Sequence, residues 1–361
     1  MNRRAFLAST GMALASSRAR AAGRRADAGP SRKADLTNEA AGVDGAKTNP
    51  AEVPFYFVDV FAEQPLTGNP LSIVPDAHSL DEETMKRIAG ELNQAETTFL
   101  LPSHNKTVDW RLRSFTAPGH EIFGAGHNSL GAWWWLAESG TLKLREGSNH
   151  FTQQIGDRLL PVEVRCEGGR LVAVVLTQSP PVFGEVLKDT GELAASLGIE
   201  TDDLDVERLP TQVISTGAGH LLVPVRSRAV IERLRPDSQR LAKVLKAAGG
   251  EGCYVYSRDT VLPGSSAHAR FFNPTMGIVE DAATGTAAGP LACQLVRHGI
   301  AKEGVALTIE QGYEMKRPSL LRLEVQGQTV KLAGRCVQVI EGKIRIRLDK
   351  NSVWGVMQST G

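Results

Sequence analysis

The sequence has almost no net charge and no long apolar run, and these two absences exclude some classes of function for the protein. Its 361 residues carry 41 Lys and Arg against 40 Asp and Glu, a formal net charge of +1. This balance gives no support for a nucleic-acid partner or for binding to an acidic membrane. No Gly-x-Gly-x-x-Gly motif follows a strand-like segment, so a dinucleotide-binding fold is not predicted.

Cysteine is scarce as well. Cys166, Cys253, Cys293 and Cys336 are far apart, with no Cys-x-x-Cys pair and no neighbouring pair of histidines. This spacing argues against a zinc site and against a dithiol redox motif. We therefore predict four buried free thiols and no metal site.

The first 22 residues predict an export signal. Arg3 and Arg4 precede a modestly apolar, Ala-rich run that ends at Ala15, and Ala19-Arg20-Ala21 follows. This order resembles a twin-arginine signal with a small-residue cleavage site. The run is too short and too polar to cross a bilayer permanently, so we expect a periplasmic mature form without a membrane anchor. An organelle transit peptide and the disordered tail of a cytoplasmic protein are the alternatives.

The chain after this signal divides into three predicted parts. Residues 23–52 are rich in Ala, Gly, Asp, Asn and Lys without periodicity, which predicts a disordered tether, and folding is expected to begin near Val53. The remainder is long enough for two domains, and the proline-containing break at Gln178–Pro181 is the best boundary. The predicted domains are 53–181, completed by a strand from 336–361, and 182–335.

Strand-like segments dominate the folded part. A capping-box pattern at Ser79 and Glu82 predicts one amphipathic helix, and a second is expected at Ser238–Ala248. Many strands with one central apolar helix per half predict an α+β fold, in which a curved, mostly antiparallel sheet or barrel wraps a helix twice. The strands expected from β-branched and aromatic residues include Phe55–Phe61, Leu71–Val74, Trp110–Phe115, Leu159–Cys166, Leu171–Leu176, Gln212–Ser215, Leu221–Val225, Cys253–Ser257 and Ala267–Phe272.

The stretch Phe271–Gly299 is the most informative. It is punctuated by Pro and Gly up to two acids, Glu280 and Asp281, and is small and apolar from Thr284 onward. This contrast indicates a loop leading into a buried helix whose free N–H groups would favour an anion beside Asp281. Asp is also a common N-cap, so a helix cap without a catalytic role is the alternative for Asp281.

A second stretch, Glu121–Gly140, has the same design. A Gly-rich turn places His127 at the start of an apolar segment that contains the run Trp133–Trp135. Consecutive tryptophans cover more than half of a helix, so we expect protein on every side of this helix. Two such helices, each with a titratable residue at its start, suggest two similar halves facing one cleft.

Two further titratable residues have ordinary interpretations. Glu96 precedes an apolar strand, where a glutamate is usually a solvated flank. His220 ends a second Gly-Ala-Gly-His sequence, but it leads into a strand, so we interpret it as a structural turn residue.

Six short motifs together resemble the PhzF-like (phenazine-biosynthesis) isomerase family, which has the diaminopimelate-epimerase fold. They occur in the family's order and span the folded part of the chain. The motifs are VDVF (58–61), TGNPL (67–71), ETTFLLP (96–102), AGHNSLGA (125–132), EDAATGTAAGPL (280–291) and QGYEMKRPS (311–319).

The resemblance implies a fold, an activity and a set of site residues. Members have two pseudo-symmetric halves with the active site between them, work without a cofactor and are generally homodimers. The implied acid/base residue is Glu96, with His127 and Asp281 beside it in the cleft. The implied substrate-binding residues are Asn69, Gly126, Gly285 and Thr286.

The implied reaction is a proton transfer on a small unsaturated carboxylate. Abstraction of a proton from carbon needs a positioned base, and burial that raises the pKa of Glu96 would make it a stronger one. The helix N-termini would hold the substrate carboxylate. The leading hypothesis is therefore a cofactor-independent isomerase with a small-molecule carboxylate substrate.

The chain departs from the family pattern near this site, and related enzymes suggest alternatives. Ala95 and Thr286 each stand where serine is common, and Asn128 follows His127 in place of proline, so the sequence leaves the substrate open. Related epimerases carry a thiol at each helix start, where this chain has His127 and Asp281, so thiol-based racemisation is disfavoured. An inactive binding or scaffold protein and a non-thiol epimerase remain as alternatives.

Overall fold

The computed structural model describes residues 51–103 and 105–346, which form 18 strands and six α-helices. The strands are β1 (Ala51–Val60), β2 (Asn69–Val74), β3 (Glu96–Leu101), β4 (Trp110–Phe115), β5 (Glu121–Ile122), β6 (Gly147–Ile155), β7 (Arg158–Glu167), β8 (Arg170–Gln178), β9 (Val182–Val186), β10 (Gln212–Ser215), β11 (Gly219–Pro224), β12 (Gly252–Ser257), β13 (Ala267–Asn273), β14 (Ile278–Asp281), β15 (Leu307–Gln311), β16 (Ser319–Gln326), β17 (Thr329–Gly334) and β18 (Cys336–Ile346). The helices are α1 (Glu82–Leu92), α2 (His127–Glu138), α3 (Gly191–Leu197), α4 (Arg228–Arg233), α5 (Ser238–Ala248) and α6 (Gly285–Arg297).

The same order of strand pairings occurs twice along the chain. β1 to β4 each pair with the next strand, and β2 and β3 are parallel. β4 pairs antiparallel with the hairpin strand β5 and parallel with β6. β6, β7 and β8 then pair in order. β10 to β17 repeat this order: β11 and β12 are parallel, β13 pairs with β14 and, in parallel, with β15, and β16 and β17 follow. A parallel pair requires a crossover connection, and α2 and α6 each form the crossover that follows a short hairpin strand.

Three further pairings join these two sets. β18 runs antiparallel to β1, β9 runs antiparallel to β10, and β8 pairs with β17. The outcome is a mixed, sheet-rich α+β fold, as the strand pattern predicted. β1 begins at Ala51, two residues before the predicted start of folding, because Ala51 and Glu52 pair with the far end of β18. The predicted export signal lies outside the described residues.

The two crossover helices are buried among the strands. Every residue of α2 from Asn128 to Ala137 is buried, including the Trp133–Trp135 run, and α6 is buried from Ala287 to Leu295. The prediction that the tryptophan helix is surrounded by protein is confirmed. Both helices contribute to one large apolar cluster with strands from both sets.

Two smaller clusters lie under the outer helices. One joins α3, α4 and α5 to β11 and β12, and the other joins α1 to β2, β3 and β4. All four cysteines are buried free thiols, as predicted. Within the described part of the chain, no helix is both long and apolar enough to cross a membrane.

The outer helices α1 and α5 have capped N-termini. Oδ1 of Asp81 accepts the N–H of Thr84 at the start of α1, and Oδ1 of Asp237 accepts two N–H groups at the start of α5. The predicted capping box at Ser79 and Glu82 is therefore wrong. The N-cap is Asp81, so the helix begins two residues later than that pattern implies, and the Asp81 side chain accepts a free N–H of the first turn.

Candidate active site

Glu96 is the first residue of β3, and its position follows from the parallel pairing with β2. Leu71 of β2 lies opposite Glu96, so Glu96 and Asn69, the first residue of β2, are at the same end of neighbouring strands. The Oε2 atom of Glu96 is buried and has no hydrogen-bond partner in the described part of the chain. Burial, together with the nearby charge of Asp281, raises the pKa of Glu96 to about 8.

Asp281 is the last residue of β14 and is held at both oxygens. Nδ2 of Asn69 donates to its Oδ1 over 2.8 Å, and Oγ1 of Thr284 donates to its Oδ2 over 2.5 Å. Burial raises the pKa of Asp281 to about 6, although the hydrogen bonds from Thr284 and Asn69 favour the ionised form. Asp281 does not cap α6, because Thr284 occupies the N-cap position.

His127 is the first residue of α2, which packs against β2 and β3. Its Nε2 atom is buried and has no partner among residues 51–103 and 105–346. Burial lowers the pKa of His127 to about 4, so the imidazole is neutral at pH 7. A neutral imidazole offers one donor and one acceptor nitrogen.

The starts of α2 and α6 differ from those of the outer helices. No side chain of the described residues caps either helix, and neither first turn contains an acid. Their first N–H groups are therefore open to an external acceptor, and the helix dipole favours an anion there. Gly126 was predicted to bind substrate, but its N–H already has a partner within the protein: it donates to Oδ1 of Asn128 over 2.8 Å.

Gly285 is required at the start of α6 by close packing. A Cβ atom at this position would lie 2.4 Å from Cδ2 of Leu332, which is itself fully buried. The carbonyl of Gly285 accepts a hydrogen bond from Nε2 of Gln178 over 2.8 Å. The first turn of α6 is thus fixed from two sides.

Sequence reasoning missed His220. It is the second residue of β11, it is 97% buried (3% exposed), and its Nε2 lies 3.1 Å from Oγ1 of Thr286 in the first turn of α6. Burial lowers its pKa to about 4. The interpretation of His220 as only a turn residue is wrong. The repeated Gly-Ala-Gly-His at 124–127 and 217–220 was the available signal, because each copy delivers a histidine to the start of a buried helix.

The predicted residues are brought together to different degrees. Asn69 and Thr284 both donate to Asp281, and the Asn69–Asp281 bond joins residues 212 positions apart. Glu96 lies close enough to Asp281 for their charges to interact. Gly285 and Thr286 follow Thr284 in the first turn of α6, and His127 stands at the start of the other crossover helix. Among the described residues, no group of His, Cys, Asp and Glu is arranged to hold a metal ion.

Comparison with known proteins decides the family. The family model described as phenazine biosynthesis-like protein (PhzC-PhzF) matches residues 58–342, most of the chain. The chain belongs to the PhzF family. The trans-2,3-dihydro-3-hydroxyanthranilate isomerase of Pseudomonas chlororaphis is 34% identical over 278 residues, which cover 77% of this chain and 92% of that enzyme. Because the PhzF relatives of this chain are named isomerases, this PhzF protein is also an isomerase.

Solved structures agree with this assignment. A PhzF-family phenazine biosynthesis protein from Bacillus anthracis is 31% identical and superposes with a TM-score of 0.75, over 82% of this chain and 100% of that one. A hydroxyproline epimerase from Agrobacterium vitis, 13% identical, superposes with a TM-score of 0.54 over 81% of this chain and 92% of its own. The PhzF fold is therefore shared with an epimerase.

Proposed function

We propose that this PhzF-family isomerase moves a proton on a small unsaturated carboxylate, without a cofactor, in a cleft between two pseudo-symmetric halves. The observation that carries the proposal is the pair of half-buried acids, Glu96 and Asp281, which lie close enough for their charges to interact, together with two crossover-helix N-termini that no described side chain caps. The repeated order of strand pairings supports the two halves, since each set places one of these helices after a hairpin strand.

Glu96 is the acid/base residue in this proposal. A carboxylate with a pKa of about 8 is a much stronger base than an ordinary glutamate, so it can accept a proton from an activated carbon and return it to another. Its Oε2 has no partner in the described structure, which leaves this oxygen available for the transferred proton. One carboxylate serving both steps needs no second acid.

Asp281 and His127 position the substrate. Asp281, with a pKa of about 6, is mostly ionised at pH 7 and can accept a hydrogen bond from a substrate hydroxyl or amine. The neutral His127 can donate to or accept from the same part of the substrate. Asn69 donates to Oδ1 of Asp281 and so fixes the orientation of the carboxylate that would accept from the substrate.

The two helix N-termini provide the anion site. Their free N–H groups and dipoles suit a substrate carboxylate and the negative charge that develops when a proton leaves carbon. Thr286, in the first turn of α6, adds a hydroxyl group held by His220. The Pseudomonas chlororaphis enzyme is named for a dihydro-hydroxyanthranilate, which makes that compound the first to be assayed.

The test measures proton exchange. In heavy water, the enzyme is expected to incorporate deuterium into trans-2,3-dihydro-3-hydroxyanthranilate or a related unsaturated amino or hydroxy acid. Glu96→Gln should lower turnover by about 10²–10⁴-fold while ligand affinity and folding stay nearly intact. Glu91→Gln, an exposed acid on α1, is the control and should retain activity.

The alternatives give different outcomes in the same assay. Binding without any deuterium incorporation would support the inactive binding or scaffold protein and would overturn the proposal. Exchange accompanied by loss of optical activity would support the non-thiol epimerase. Unchanged turnover in Glu96→Gln would remove Glu96 from the mechanism.

Export and self-association are also proposals. The twin-arginine pattern supports cleavage near residue 22 and a periplasmic mature enzyme, and family resemblance supports a homodimer. Sequencing of the mature N-terminus checks the first, because an intact Met1 on the protein in cells would contradict cleavage. Light scattering of the purified enzyme checks the second through its molar mass.

A further inference from the structure

Gln311, the last residue of β15, is fully buried and uses all of its hydrogen-bonding capacity. Its Oε1 accepts the N–H of Thr284 over 3.0 Å and the hydroxyl of Tyr254 over 3.0 Å. Its Nε2 donates to the carbonyl oxygen of Asp281 over 2.7 Å and to Oγ1 of Thr284 over 3.1 Å. A glutamine amide has two donors and two acceptor positions, so every one is satisfied here.

The backbone fixes the orientation of this amide. The N–H of Thr284 can only donate, so it requires the oxygen of Gln311, and the carbonyl of Asp281 can only accept, so it requires the nitrogen. A flipped amide would lose both bonds inside the protein, where unsatisfied polar groups are costly. Gln311 therefore presents an N–H to the Thr284 hydroxyl in one defined direction.

The Thr284 hydroxyl transmits this direction to the proposed site. Its oxygen accepts from Nε2 of Gln311, and its own proton is then left to donate to Oδ2 of Asp281, 2.5 Å away. We propose that Gln311 is a positioning residue for the isomerase reaction, which acts through Thr284 to hold Asp281 as an oriented, ionised acceptor. This inference rests on the proposed function, because it assigns Asp281 the role given there.

The neighbours of Asp281 explain why such support is needed. The titratable groups near it are Glu96 from β3, the phenol of Tyr254 from β12 and the adjacent Glu280 of β14, whose carboxylate is paired with Arg270 of β13. All three are acids, and burial also disfavours the charged carboxylate. The hydrogen bonds from Thr284 and Asn69 oppose these effects.

The chain contains a matched control for this network. Gln294 is also fully buried, its Oε1 accepts the hydroxyl of Tyr256 over 2.7 Å, and its Nε2 donates to the carbonyl of Pro210 over 2.8 Å. It lies in α6, the same helix whose first turn forms the proposed site, but its partners are not site residues. Changing Tyr256 or Gln294 thus disturbs a similar buried pair without touching Asp281.

The first experiment compares the two networks through the pH dependence of kcat/KM. Asp281 is expected to set the lower break in this profile, near pH 6. Gln311→Met should move that break upward by about one pH unit, because the Thr284 hydroxyl is then free to turn away from the Asp281 carboxylate and one hydrogen bond to a carboxylate is worth about that much. Tyr254→Phe should move it by a smaller amount, whereas Gln294→Met and Tyr256→Phe should leave it in place. Equal shifts in both pairs, or none in either, would overturn the inference.

A second measurement separates failure of this inference from failure of the proposed function. The pKa of Asp281 is read directly by NMR titration of protein labelled with ¹³C at the aspartate carboxyl, assigned with Asp281→Asn. Thr284→Val and Gln311→Met should raise this pKa above the wild-type value. Thr284→Ser keeps the hydroxyl and should leave the pKa at the wild-type value. An unchanged pKa in both variants would contradict the role of Gln311 even if the enzyme has no measurable turnover. If both variants raise the pKa but the wild type shows no proton-transfer activity, the role of Gln311 in positioning Asp281 stands and only the proposed function is overturned.

Discussion

Surroundings give the acidic side chains of this isomerase opposite properties. Asp81 at the start of α1 is exposed and accepts the N–H and hydroxyl of Thr84, and these bonds lower its pKa. Glu96 and Asp281 are half-buried, and the loss of hydration around their carboxyl groups raises the pKa of both. The same functional group therefore has a lowered pKa as a helix cap and a raised pKa at the proposed site, because hydration and hydrogen bonding differ between the two places.

The raised pKa values predict a two-step pH profile for kcat/KM. If Glu96 must be ionised to abstract a proton, activity falls as the pH drops below about 8, and it falls more steeply below about 6, where Asp281 also gains a proton. His127 does not contribute over this range, because its pKa is about 4. The profile is measured with saturating and limiting substrate from pH 5 to 10. Activity that declines above pH 8 would mean that protonated Glu96 acts first, as an acid.

Candidate site residues could be named from the sequence where a local pattern marked them. His127 and Asp281 each precede a small, apolar helix, and family motifs added Glu96 and Asn69. His220 and Gln311 were not predicted as site residues, because their roles depend on contacts with Thr286 and Thr284 that are 66 and 27 residues away. Such contacts form where the start of α6 packs against strands that are distant in sequence. The repeated Gly-Ala-Gly-His was a signal for His220, but no short pattern gave Gln311 a role.

At the level of elements, apolar strands were predictable and polar ones were not. Trp110–Phe115 was predicted with its observed limits, and β7 and β8 were each found within two residues. β6 was missed because it is largely polar along Gly147–Ile155, and it is stabilised as a strand by pairing with β7 over its whole length. Tertiary pairing thus overrides weak local preference there.

Close packing at the start of α6 gives an element-level prediction. Gly285→Ala would force a methyl group to within 2.4 Å of Leu332, so either the side chain or the first helical turn must move. The expected cost is about 1–3 kcal/mol in the free energy of unfolding, measured with urea, together with a loss of activity as the anion site shifts. Gly124→Ala is the control, because a Cβ there meets no atom within 4 Å. Equal stability of the two variants would show that α6 adjusts without cost.

The whole molecule is linked at a buried cluster outside the proposed site. His268 of β13 is fully buried between two carboxylates: Nδ1 lies 3.1 Å from Glu310 of β15, and Nε2 lies 2.9 Å from Glu314. Glu314 belongs to the same turn as Arg317, whose guanidinium donates to the carbonyl oxygens of Thr67 and Gly68 over 2.7 Å each. The cluster therefore connects β13 and β15 to the turn that precedes Asn69 of β2.

This cluster predicts that stability falls at alkaline pH. Burial alone would lower the pKa of His268, but the hydrogen bonds with Glu310 and Glu314 outweigh it and raise the pKa to about 9. A histidine with a raised folded-state pKa contributes fully below its unfolded value, near pH 6.5, and the contribution disappears as the pH rises through about 9. Between pH 7 and 9.5, the unfolding free energy of the wild type should therefore fall by about 2 kcal/mol more than that of His268→Gln, which cannot titrate. Urea unfolding at both pH values measures the difference. Equal changes in the two proteins would mean that His268 is neutral in the folded state. Its contact with Glu310 between β13 and β15 would then be a hydrogen bond and not an ion pair.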